Sequence, residues 1–241
     1  MTSGREIEVR LASVRERVAQ AALRVGRKPD EIAIVAVAKR KSPERIVAAV
    51  RAGVRDLAEN YVQEALAKIP IVNAELQRAG LAIPRWHFVG QLQRNKARDV
   101  VRWFDTVASV DREALGAELD RRAEQEDRRL DVLLQVNLSG EPQKGGADPA
   151  ALPALLEASR GWTRLRAIGL MTVPAAAADP EASRPAFAQL RALRDELREK
   201  PGGELLSELS MGMTGDFEIA IEEGATIVRV GTAIFGPRSD A

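Results

Sequence analysis

The sequence predicts an α/β protein folded as a single (β/α)8 barrel, with one extra helix before the first strand. Three observations carry that expectation. Eight short apolar runs are spaced along the 241 residues, segments of helical periodicity lie between them, and no shift in composition marks a second domain within residues 1–241. The runs are continuous in apolar character rather than alternating, as strands covered on both faces of a parallel sheet are. A doubly wound open sheet has the same alternation and stays open as the second architecture.

The elements follow in order. Residues 5–25 form an amphipathic helix that precedes the barrel. The strand runs are IAIVAVA (32–38), VRDLA (54–58), RWHFVG (85–90), FDTVASV (104–110), LDVLLQVNLS (130–139), LRAIGLMTV (165–173), LLSELSMG (205–212) and TIVRVG (226–231). The second and seventh carry the weakest strand signal. Ser42-Pro43-Glu44 opens a helix, with Ser at the cap, Pro at the first helical position and apolar Ile46, Val47 and Val50 behind it. Asp111 starts another helix and Asp148-Pro149 a third. Over 180–199, Phe187, Leu190, Leu193 and Leu197 fall on one face, and Pro201-Gly202-Gly203 ends the segment. PAAAADP (174–180) is a connection, and Asp216–Glu223 is a short helix.

Composition excludes several functional classes. Thirty-six Lys and Arg stand against 35 Asp and Glu, a net charge of +1, so no nucleic-acid partner is expected from charge. Cysteine is absent and His87 is the single histidine. Disulfides, thiolate catalysis and Cys/His zinc sites are thereby excluded, and a Ser-His-Asp triad would need His87. No apolar leader or long apolar span is present, which places the chain in the cytoplasm without membrane attachment.

In a barrel of this kind the chemistry collects at the carboxyl ends of the strands. Those ends carry Lys39, Glu59-Asn60, Gly90-Gln91, Asn137-Leu138-Ser139, Gly169–Thr172, Ser210–Gly215, and Arg229 followed by Gly231-Thr232. The small residues after the seventh and eighth strands suit backbone amides approaching a phosphate, the usual anion site of the fold. Lys39, partly desolvated at a barrel mouth, is a candidate nucleophile toward a carbonyl. A phosphosugar aldolase and a pyridoxal 5′-phosphate (PLP) protein both fit a reactive lysine facing a phosphate cup. Arg229 shares its strand face with Gly231, where it can meet a phosphate, a pyridine nitrogen or a buried carboxylate.

Seven stretches carry a resemblance that separates these readings: AVAKRKSPERI (36–46), AENYVQEALAK (58–68), WHFVGQLQRNKAR (86–98), QVNLSGEPQKGG (135–146), GLMTV (169–173), LSMGMTGDFEIAI (209–221) and VRVGTAIFG (228–236). In that order, across nearly the whole chain, they resemble the pyridoxal phosphate homeostasis proteins, a family similar to the barrel domain of alanine racemases. The resemblance implies PLP held covalently as an aldimine on Lys39. It implies Ser210, Gly231 and Thr232 as phosphate ligands, Arg229 at the pyridine nitrogen and Asn60 near the cofactor. His87 and GQLQRNK match a family signature without an assigned role. Ala58 replaces the family's usual Gly, Thr214 its usual Ser, and Ser42 stands where many members have Pro; none of these touches Lys39 or Arg229.

A PLP protein that holds, buffers or delivers the cofactor, with PLP-dependent apoenzymes as recipients and without appreciable turnover, is what the resemblance implies. An arginine at the ring nitrogen keeps that nitrogen unprotonated and the ring a weak electron sink. Related racemases oppose the lysine with a tyrosine from a second domain across a dimer interface. This sequence has one tyrosine, Tyr61, and no room for that domain, so a monomer is expected. The alternative is a PLP-dependent amino-acid racemase using Lys39 and a second base.

Overall fold

The computed structural model describes residues 4–141, 144–175 and 177–237. Pro142 and Gln143 of QVNLSGEPQKGG, and Ala176 of PAAAADP, lie outside the described residues. The first element is α1 (Gly4–Arg24), followed by β1 (Ala33–Val37), α2 (Pro43–Arg51), β2 (Asp56–Glu59), α3 (Val62–Arg78) and β3 (Arg85–Phe88). Then come α4 (Ala97–Trp103), β4 (Thr106–Val110), α5 (Glu113–Gln125), β5 (Leu130–Val136), α6 (Leu152–Ser159), β6 (Leu165–Thr172) and α7 (Arg184–Arg198). β7 (Glu208–Ser210), α8 (Phe217–Glu222), β8 (Ile227–Val230) and α9 (Thr232–Phe235) complete the chain.

All eight strands are parallel and follow sequence order into a closed barrel, with β8 paired back to β1 through Val35↔Arg229 and Ala36↔Val230. Closure decides between the two architectures in favour of the (β/α)8 barrel. Because side chains alternate along a strand, one set points into the barrel and the other toward the helices. Val35, Ala58, Ala108, Leu133, Met171 and Ile227 make the buried inner cluster. The outward set, including Leu57, Phe88, Val107, Leu134 and Val228, packs under the helices in one continuous core.

Local sequence explains most boundaries. Pro43 sits in the first turn of α2 behind Ser42, and Asp148 caps the turn ahead of α6 by accepting from the Ala150 N–H at 2.8 Å. The segment 180–199 begins as a 3-10 turn capped by Asp179, which accepts from the Glu181 N–H at 3.0 Å, and only then becomes α7. Asp111 does not cap α5, since Arg112 occupies the cap position. Asp111 pairs with Arg112 and accepts from the Gly146 N–H instead, tying the β5–α6 loop to the rim. α1 is bound to the barrel wall by its arginines. Arg17 meets Glu218 at 2.6 Å and stacks on Phe217 at 4.5 Å, Arg24 meets Glu222 at 2.9 Å, and just beyond the helix Arg27 donates to the carbonyls of Ile221 and Ala225.

Candidate functional site

The inward parity of β1, β2 and β8 continues past their carboxyl ends. Val35 and Val37 lead to Lys39, Ala58 to Asn60, and Ile227 to Arg229 and Gly231. Met171 stands opposite Ser210 in the register of β6 with β7. Barrel closure therefore brings all six sequence-predicted site residues to one rim, although β1 itself stops two residues before Lys39.

Arg229 is the unusual group. It is 5% exposed, yet its partners are neutral: Nη1 donates to Ser210 Oγ at 2.7 Å and Nη2 to the Thr172 carbonyl at 2.9 Å. Among the described residues no carboxylate lies in ion-pair contact with it. Burial pulls its pKa down to about 10, with Asp216 acting in the opposite sense from a distance. An uncompensated buried guanidinium costs several kcal/mol. Such a group is retained where a ligand completes its surroundings, and here it holds the ends of β6, β7 and β8 together.

Lys39 rides on a clamped turn. Residue 40 is an arginine at φ +58°, a left-handed conformation that a side chain disfavours. Two contacts from α3 hold it there: Glu64 accepts from the Arg40 N–H, and Lys68 Nζ donates to the Ala38 carbonyl at 2.9 Å. Lys68, itself 6% exposed, also meets Glu59 and Glu64 at 2.7 Å each. Glu59 is fully buried, and burial raises its carboxyl to about 7 against the lowering influence of Lys68 and Lys39. The Lys39 amine has no hydrogen bond among the described residues, leaving its nitrogen available for a ligand.

The cup beside it is made of backbone. Gly212 adopts φ +90°, and a Cβ there would lie 2.6 Å from Ala220 Cβ and 2.9 Å from Phe217 Cα, so the close approach of the loop to α8 requires glycine. Asp216 accepts from the Met213 N–H at 2.7 Å and fixes the loop, while the amides of Thr214 and Gly215 have no acceptor among the described residues. Gly231 starts α9, where a Cβ would find only ordinary contacts of 3.7 Å with Val37. Its lack of a side chain thus keeps the cup open rather than relieving a clash. Asn60 Oδ1 is buried without a hydrogen-bond partner among the described residues. An unpartnered acceptor, an unpaired guanidinium, free loop amides and a free lysine amine fit a phosphorylated carbonyl compound with a ring nitrogen.

His87 belongs elsewhere. It is 6% exposed and its Nε2 lies 2.8 Å from Asp56 Oδ1, in a cavity of ≈ 500 Å³ at the amino ends of the strands, opposite the rim. Tyr61 is 48% exposed at the start of α3. The Glu59–Lys68–Glu64 network is the part that sequence reasoning missed. Its signal is the i,i+4 spacing of Glu64 and Lys68 in AENYVQEALAK. Among the described residues no group of three or more acidic or histidine side chains is placed to hold a metal, and no helix is long and apolar enough to cross a membrane.

Comparison with known proteins agrees with this fold. Residues 9–239 match the family model described as alanine racemase, N-terminal domain. The chain is 43% identical over 228 residues to the pyridoxal phosphate homeostasis protein of Pseudomonas aeruginosa, covering 95% of this chain and 94% of that one. It is 40% identical over 230 residues to the protein of the same name from Aquifex aeolicus, covering 95% and 97%. The solved structure of PipY from Synechococcus elongatus with PLP bound superposes with a TM-score of 0.81 at 39% identity, covering 95% of this chain and all of that one. With a matching barrel and relatives of this similarity along almost its whole length, the chain belongs to the pyridoxal phosphate homeostasis proteins of the alanine racemase N-terminal domain family.

Proposed function

We propose that this protein binds PLP as an imine on Lys39 and serves PLP homeostasis in the cytoplasm, holding the cofactor and releasing it to PLP-dependent apoenzymes without appreciable turnover. The observation that carries the reading is the buried, carboxylate-free Arg229 guanidinium on the same rim as the free Lys39 amine. PLP supplies an aldehyde that condenses with amines and a ring that accepts electrons.

The roles of the side chains follow. Lys39 anchors the aldehyde carbon. The amides after β7, with Ser210, Gly231 and Thr232, receive the phosphate, which sets the orientation. Ser210 Oγ accepts from Arg229, so its own O–H is free to turn toward the phosphate. Arg229 faces the ring nitrogen and disfavours its protonation, because a second positive charge beside a buried guanidinium is costly. Asn60 offers its unpartnered amide oxygen to the same ligand. A racemase needs a second acid/base group opposite the lysine. The only tyrosine, Tyr61, is half exposed, which supports binding over turnover. Of the large exposed apolar side chains, Val9 and Leu23 lie 14 residues apart on α1, Ile71 is on α3 and Ile83 in the loop before β3, and this spread supports a monomer.

The protein as purified, or after PLP is added, is expected to be yellow, and borohydride is expected to shift its absorption and fix the label on Lys39. Lys39→Ala should lose the borohydride-stable label. A colourless protein labelled only in the presence of a phosphosugar would instead establish an aldolase. Formation of D-alanine or D-serine from the L-enantiomers, abolished by Lys39→Ala, would establish a racemase.

A further inference from the structure

The proposed function leaves His87 and the amino end of the barrel without a task. In this fold that end ordinarily serves stability, for which a dry or fully hydrogen-bonded layer is enough. The layer here is neither. Below the apolar cluster of Val35, Ala58 and Leu133 it encloses a cavity of ≈ 500 Å³, lined by polar side chains from β2 through β7. Thr106 lines this cavity and is 1% exposed, yet its Oγ1 has no hydrogen-bond partner among the described residues. His87, its register partner on β3, bonds Asp56 through Nε2 and makes no other hydrogen bond among the described residues. A buried hydroxyl without a partner is costly, so one that faces a cavity marks a place for a ligand atom.

Charge divides the cavity into two sides. On the β3–β6 side, Arg85 and Arg166 both turn to Asp131, at 3.1 and 2.8 Å. The other side runs through β7, β8, β1 and β2 of the closed barrel and carries Glu208, Asp56 and, just before β1, Asp30 and Glu31. Glu31 meets Arg27 at 3.6 Å. Glu208 accepts from the hydroxyls of Ser207 and Thr226. Neither Glu208 nor Asp56 has a lysine or arginine in ion-pair contact among the described residues. Five carboxylates thus line the cavity against two arginines, and both arginines are spent on one of the five.

We infer that this cavity binds a small linear diamine, its two ammonium groups paired to Asp56 and Glu208 and the Thr106 hydroxyl serving as a further acceptor. Two ammonium groups answer the two carboxylates that lack a cation. A metal ion does not, because no three acidic or histidine side chains converge to hold one among the described residues. The volume is that of a small-molecule site rather than of a bare ion. Arg85 and Arg166, both exposed on the opposite side of the cavity, repel a longer polycation. The inference is independent of the PLP reading, since none of the six residues proposed to hold PLP lines this cavity.

The test titrates 1,4-diaminobutane, butylamine and 4-aminobutyrate into the full ¹⁵N-labelled chain without PLP, so that no imine chemistry competes. The three probes share a four-carbon chain and differ in the second charge. The diamine is expected to bind about tenfold more tightly than butylamine, the size of one charge-assisted hydrogen bond in a partly solvated site, and to weaken as salt rises. Amide shifts should centre on Asp56, His87, Thr106 and Glu208, and the unfolding temperature should rise with diamine concentration. Glu208→Gln should bring the diamine down to the butylamine affinity. Asp56→Asn should weaken both amines, and Thr106→Val should weaken the diamine severalfold in a protein that still folds. Equal affinity for the diamine and 4-aminobutyrate, or a diamine affinity unchanged in both Asp56→Asn and Glu208→Gln, overturns the inference. So does the absence of shifts at these four residues, or shifts confined to the rim around Lys39.

Discussion

Glu59 and Lys68 show how a buried pair acts at a distance from any ligand. Glu59 is ionised only above about 7 in the folded protein, whereas in the unfolded chain it titrates near 4.5. Between those values the folded state holds a proton that the unfolded state has lost. This contribution to stability is therefore complete below the lower value and disappears as pH rises through the upper one. Glu59→Gln removes that dependence. Its stability relative to the parent should rise by roughly 2–3 kcal/mol between about pH 5 and about pH 8, measured by urea unfolding at each pH. Lys68→Met is expected to destabilise by about 3 kcal/mol near pH 8, where it strands a buried carboxylate, and by less near pH 5, where Glu59 is protonated. The same substitution frees the Ala38 carbonyl, so PLP-loaded Lys68→Met should lose the cofactor faster on dilution. Lys39 and Arg229 were legible in the sequence because a cation after a run of apolar residues is conspicuous. Glu59 was visible as a strand-end carboxylate, but its protonation depends on how deeply α3 buries it.

The elements on either side of the cup separate two uses of glycine. Gly212→Ala forces a Cβ into Ala220 and Phe217 and strains a φ of +90°, so α8 must shift away from β7. A loss of about 2–4 kcal/mol is expected, together with PLP binding, measured by thermal unfolding and cofactor titration. Gly231→Ala meets no such obstacle. Its unfolding temperature should stay near the parent's, a change within about 1 kcal/mol, while PLP affinity falls because the methyl group occupies the cup. A Gly231→Ala protein that keeps full affinity would place the phosphate elsewhere. Strand and helix positions followed from apolar run length and from Pro43, Asp148 and Pro201. The ends were less legible: β7 spans only Glu208–Ser210 of its eight-residue run, because the residues after it are drawn into the loop fixed by Asp216. Asp111 suited a cap by residue type, but the ion pair with Arg112 and the contact with Gly146 took it instead.

For the whole molecule, α1 is the element outside the eightfold rhythm, and its buried face makes it part of the barrel wall. Leu11 is 2% exposed there, and Leu11→Ala is expected to cost about 2–5 kcal/mol with a single unfolding transition, read by denaturant melts. A separate early transition would mean that α1 is an independent appendage. Periodicity, capping residues and strand-end chemistry are written in local sequence, so the eight strands and the position of Lys39, Asn60, Ser210, Arg229, Gly231 and Thr232 at strand ends were readable without coordinates, while the roles proposed for these six come from the family resemblance. Three things were not. Closure of β8 onto β1, the clamp of α3 on the turn bearing Lys39, and the isolation of His87 at the opposite end all depend on residues far apart in the chain. Which distant groups meet, and how far from water they meet, is set by the strand order and the depth of packing, and those two quantities fix the protonation of Glu59, the unpaired state of Arg229 and the single rim they share.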